Sequence, residues 1–135
     1  MNMDDKVVRE LIKLGAEDLQ YLPNGWLSFA YNKWEMLYIP GKQQDIYTNL
    51  RMCIPEFKVG TRNRQEVLAE SVNDLNKNLR YVKAVILDNG VICINYDHKC
   101  YSGENMHHIV EHMLKVLSFA AEYLCGKVEA ENQIL

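Results

Sequence analysis

The sequence predicts one α+β domain with the element order α-β-β-β-α-β-β-α, an antiparallel sheet packed by helices. Three observations predict it. RYVKAVILDNGVICINY, Arg80 to Tyr96, sets two β-branched runs around Asp88-Asn89-Gly90. An Asn-Gly pair between apolar runs is the strongest short-range hairpin signal, because both central residues of a type I′ turn need positive φ. The segments before and after this hairpin carry apolar residues at helical spacing, so helices can cover it. Upstream, GWLSFAYNKWEMLYIP, Gly25 to Pro40, reads as a second hairpin. At 135 residues with 48% apolar and 24% charged content, the chain suffices for one domain with its own core.

The first helix is expected over residues 4 to 14. Asp4 or Asp5 can cap it, Val7, Val8, Leu11, Ile12 and Leu14 form its apolar stripe, and Gly15 is a natural stop. Ala16 to Leu22 fits either a further helical turn or an extended connector, and Pro23-Asn24-Gly25 breaks the chain. Closing a turn at Asn32-Lys33 pairs Tyr31 with Trp34, Phe29 with Met36 and Leu27 with Tyr38. These side chains share one face, while Ser28, Ala30 and Glu35 fall on the other. The aromatic face reads as sheet core, with an aromatic ligand box as the sharper alternative.

Ile46 to Ile54 alternates as a third strand and Pro55 ends it. Asn63 and Glu66 have capping-box spacing at the head of a second helix, whose buried stripe is Leu68, Val72, Leu75 and Leu79. Asn73, Asp74, Asn76 and Asn78 compete for backbone groups in mid-helix. They mark either a working surface or, the reading favoured by propensity, a helix that loosens towards Arg80. A two-residue turn at Asn89-Gly90 puts Val85, Leu87, Ile92 and Ile94 on one face of the central hairpin. The other face then holds Val82, Ala84, Ile86, Cys93 and Asn95. A strand pair apolar on both sides is covered on both sides, and the second cover is expected to be a partner subunit. The last helix is expected from Glu104 to Leu124 with a stop at Gly126, giving a domain over residues 1–126 and a loose tail over 127–135.

Composition narrows the function classes. A net charge of −3 with scattered Lys and Arg gives no nucleic-acid footprint. The N-terminus lacks the charge and apolar pattern of a signal peptide, and no apolar run approaches the ~20 residues of a membrane span. A cytoplasmic location without membrane partners is therefore expected. The cysteines Cys53, Cys93, Cys100 and Cys125 are widely spaced with no C-x-x-C, which favours reduced thiols over a disulfide framework or a zinc site. Chemistry has one foothold. His108, Glu111 and His112 match the H-x-x-E-H pattern, in which two imidazoles one helical turn apart could bind Zn²⁺ and the Glu could activate its water. No third ligand is apparent, and these residues lie opposite the apolar stripe, as a solvated helix face would. Asp97 and His98 form a further loop pair without catalytic context. No catalytic residue and no cofactor is expected.

Asn73 and Asn76, followed by a strand, the Asp88-Asn89-Gly90 turn and a second strand, give Ser71 to Cys100 a likeness to a known group. The segment resembles the YbjN-type bacterial sensory transduction regulators, whose middle helix ends in N-x-x-N before a D-x-G hairpin. Gly25 to Pro40 resembles the first hairpin of such domains. That fold is similar to the type III secretion chaperones, small acidic homodimers that bind extended stretches of partner protein without catalysis. The resemblance implies a non-enzymatic regulatory or chaperone-like module, a homodimer that takes a protein or peptide partner. Asn73 and Asn76 would then be candidates for surface binding, and Val82, Ala84, Ile86, Cys93 and Asn95 for the dimer interface. A metal-dependent hydrolase and a small-ligand sensor, with a pocket between the aromatic sheet face and a helix, are the alternatives.

Overall fold

A computed structural model describes residues 3–40, 47–54, 64–88, 91–99 and 104–133. Among the described residues, three helices lie over one face of an antiparallel sheet. The elements are α1 (Met3–Lys13), β1 (Glu17–Tyr21), β2 (Leu27–Tyr31), β3 (Trp34–Ile39), β4 (Tyr47–Ile54), α2 (Arg64–Asn78), β5 (Val82–Ile86), β6 (Ile92–Lys99) and α3 (Met106–Gln133). The predicted α+β order is present, with β1 added, so the ambiguous stretch after α1 is extended. The sheet has six strands in the order β1-β2-β3-β4-β6-β5, which leaves β1 and β5 at its edges.

The first half follows its local signals closely. Gly15 adopts a φ of 100°, and the Ala16 N–H reaches the Leu11 carbonyl at 2.9 Å, ending α1 as a Schellman turn. Asn32 and Lys33 both have positive φ, 50° and 73°, as a type I′ turn demands. The pairs Leu27–Tyr38, Phe29–Met36 and Tyr31–Trp34 form as predicted. Leu27, Phe29, Met36 and Tyr38 are buried at 1% exposure in the core beneath the helices, which settles the aromatic face as packing. The α1 stripe is narrower than expected. Val7 and Leu11 are fully buried, whereas Ile12 stands 58% exposed.

The central hairpin corrects the sequence reading. The Leu87 N–H meets the Val91 carbonyl at 2.8 Å and Ile86 pairs with Ile92, so the loop holds three residues, 88–90. That shifts the register by one residue and turns one strand over relative to the other. Val82, Ala84 and Ile86 share a face with Tyr96, Ile94 and Ile92, while Lys83 and Val85 lie opposite Asn95 and Cys93. Lys83 gives the physical reason. A two-residue turn would pair it with Tyr96 on the buried face, and an unpaired buried ammonium costs far more than an imperfect turn. In the observed register Lys83 is exposed, and Val82 and Ala84 are buried against the helices. The five residues expected at a dimer interface therefore occupy two different faces.

The end of the chain is corrected as well. Helix α3 continues through Gly126 to Gln133, and Val128 is buried at 2% exposure, one turn beyond Leu124. Extending the apolar stripe by Val128 outweighs the roughly 1 kcal/mol that glycine costs inside a helix. Val128 packs into the core, and the backbone of residues 127–133 is helical. A Cβ built at Gly126 meets nothing within 4 Å. Gly126→Ala is therefore expected to raise stability by about 0.5–1 kcal/mol in urea unfolding. A left-handed C-terminal cap at this position would give a loss instead. The Asn63 cap lies outside the described residues.

Candidate functional site

A hollow lies between α1 and the edge strand β1, a feature the sequence reading missed. It measures about 460 Å³ and is lined by Asp5, Val8, Arg9, Ile12, Lys13 and Tyr21. Tight termination at Gly15 turns the chain back into β1, so that Ile12 and Tyr21 both line the hollow. Tyr21 is 62% exposed, so two large apolar side chains face solvent in one groove. Arg9 and Lys13 outnumber Asp5 along the walls, and Lys13 also lies 3.8 Å from Glu10. The β1–β2 register shifts between Glu17 and Gln20, and Asp18 there has a φ of 56°. Such a bulge blunts the start of the edge and leaves Gln20 and Tyr21 as its regular part. One signal for the groove stood in the sequence. Val8 and Ile12, four residues apart, form a second stripe beside Val7, Leu11 and Leu14, wider than one packing layer covers.

The H-x-x-E-H residues do not converge. Tyr96 is buried, which pushes its phenol up, with Tyr81 adding to the shift. Its hydroxyl oxygen lies 2.7 Å from His112 Nδ1, a hydrogen bond that ties β6 to α3. Glu111 turns to Lys115 at 3.5 Å and to His107 at 3.8 Å, and His108 is exposed. Among the described residues no group of three or more His, Cys, Asp or Glu could hold a metal ion. The histidines serve as ties between elements. His107 Nδ1 lies 2.7 Å from Glu10 and joins α3 to α1, while His98 lies 2.9 Å from Glu104. Tyr81 stacks over Tyr96 at 5.9 Å and meets the His112 ring edge-on at 4.9 Å, from a backbone φ of 74°.

The asparagine-rich turns of α2 are employed, and the helix does not loosen before Asn78. The Asn76 amide donates to the Ala84 carbonyl at 2.9 Å and accepts from the Ala84 N–H at 2.8 Å. It thus satisfies both backbone groups that β5 turns outward at this point of the sheet edge. Asn78 Nδ2 donates to Asp74 at 3.0 Å, and the Tyr123 hydroxyl of α3 donates to the same carboxylate. That hydrogen bond and the nearby Lys127 hold Asp74 below the usual carboxylate range, and the Asp74 bond pushes the Tyr123 phenol up. Asn73 remains an exposed surface residue. Asn76 is therefore committed to the fold.

The second face of the sheet carries no helix among the described elements. Leu37 and Ile39 of β3 are half-buried there, Val85 is 40% exposed, and Cys93 and Asn95 lie between them on β6. No described helix is long and apolar enough to cross a membrane. Compared with known proteins, the chain matches no protein-family model, no curated protein and no solved structure.

Proposed function

We propose that this chain is a regulatory or chaperone-like protein-interaction module that takes an extended segment of a partner protein in the groove between α1 and β1, without catalysis. The exposed pair Ile12 and Tyr21 beside an edge strand carries this reading. An extended peptide can add its backbone to Gln20 and Tyr21 while one apolar side chain enters the groove, and Arg9 and Lys13 favour an acidic neighbour. The resemblance of Ser71 to Cys100 to the YbjN-type regulators supports the same class of function. A second copy of the chain belongs to this reading, now on the sheet face without a described helix, around Leu37, Ile39 and Val85. The mixed dimer surface expected from the sequence has no counterpart in the register.

Selection from a random peptide library on the immobilised full chain tests the groove. Selected peptides are expected to carry an apolar residue flanked by Asp or Glu. They should bind Ile12→Glu and Tyr21→Glu at least about tenfold more weakly, the scale of losing an interface anchor. Peptides that bind both variants at wild-type strength would place the binding surface elsewhere. Light scattering of the full chain beside Val85→Asp reads the second-copy part, with a dimer expected only for the unmodified chain.

A further inference from the structure

The register of β4 and β6 sets Cys53 directly opposite Cys93, a placement that wide sequence spacing conceals. We propose that Cys53 and Cys93 form a reversible cross-strand disulfide, making the sheet face that carries no described helix redox-responsive. Directly opposed residues of an antiparallel pair have Cα atoms about 4.5 or 5.5 Å apart, depending on the hydrogen-bonding class of the pair. Both values lie inside the range of about 4.4–6.8 Å that a disulfide spans. Opposed residues also share a face, so closure needs no reversal of either strand. Cys93 is buried at 2% exposure yet belongs to no part of the core beneath the helices, and the register puts Val85 on its other side.

Burial disfavours a thiolate at Cys93, and one polar contact works against that cost. The Asn95 amide lies 3.6 Å from Cys93 Sγ and donates to it, which stabilises sulfur as it gains charge. Arg51 stands opposite Asn95 in the register, two positions along β4 from Cys53. The step balances with a small-molecule disulfide as oxidant. One protein thiolate attacks it, forming a mixed disulfide and releasing one small thiol. The opposed thiolate then attacks the protein sulfur of that mixed disulfide and releases the second. Both protein sulfurs are oxidised, one small disulfide is reduced, and the two protein thiol protons end on the released thiols.

The inference rests on the strand register and does not depend on the peptide-binding reading. It is tested on the full chain by equilibration with oxidised glutathione, alkylation of remaining thiols and peptide mapping by mass spectrometry. The expected result is a Cys53–Cys93 link within one chain, with a two-hydrogen mass loss, reversed by dithiothreitol. Cys100→Ser and Cys125→Ser should leave the link intact, and the oxidised form should melt at a higher temperature than the reduced one. Because Cys93→Ser could disturb packing, Cys53→Ser and Cys93→Val serve together as controls that lose the link. Full alkylation of both cysteines in a chain that stays folded by circular dichroism would overturn the proposal. So would a glutathione adduct that never closes, or links confined to other cysteines or to two chains.

Discussion

Ala84→Asp is expected to destabilise the protein by about 3–5 kcal/mol, the cost of an uncompensated buried charge, whereas Lys83→Asp should stay within about 0.5 kcal/mol of the parent. Both substitutions put the same carboxylate on β5, one residue apart, so intrinsic strand propensity cancels in the comparison. Only the face differs. Ala84 is 1% exposed and belongs to the core that includes Ile92, Ile94 and the helices, whereas Lys83 is exposed opposite Asn95. Urea unfolding followed by circular dichroism measures the difference directly. A two-residue turn at Asn89-Gly90 would reverse the order, with Asp at 83 under the helices and Asp at 84 outside. Equal losses at the two positions would sink the register given above.

The same hairpin shows why one half of this fold was legible in sequence and the other only in part. At Asn32-Lys33 the turn and the apolar alternation agree, since closing it gathers Leu27, Phe29, Met36 and Tyr38 on one side, and the observed pairing follows. At Asp88-Asn89-Gly90 the two signals conflict. The turn chemistry favours two residues, while burial favours three, because only then do Val82 and Ala84 meet Tyr96 and Ile94 with Lys83 outside. Tertiary burial involves several residues at once and wins over one turn preference. Placing Lys83 on each candidate face would have exposed the conflict. Gly126 failed for a related reason, because its stop signal is local and the buried Val128 beyond it is not. Of the site, the H-x-x-E-H pattern was visible without being a constellation. The α1–β1 groove left only the Val8 and Ile12 stripe as its signal, and the Cys53–Cys93 opposition depends on a strand register that no linear spacing encodes.

Asn76→Ala is the second large effect, with an expected loss of about 2 kcal/mol and a new tendency to self-associate. Its amide makes two hydrogen bonds to the Ala84 backbone, each worth roughly 0.5–1.5 kcal/mol net, and truncation leaves a partly buried N–H and C=O without those partners. Alanine returns a few tenths of a kcal/mol through its higher helix propensity, which trims the loss without cancelling it. The consequence for assembly follows from position. β5 is an edge strand, and unpaired edge groups are a template for another chain. Asn73→Ala, one helical turn earlier and exposed, is the matched control and should change stability by less than about 0.5 kcal/mol. Asn76→Asp separates the two bonds: it keeps an acceptor for the Ala84 N–H but turns a carboxylate oxygen towards the Ala84 carbonyl, so it should fall at least as far as alanine. Urea midpoints measure the loss and sedimentation velocity the association. If Asn76→Ala behaves like Asn73→Ala in both, the side chain is not what closes this edge of the sheet, and its place in the N-x-x-N pattern would have to be explained by binding instead.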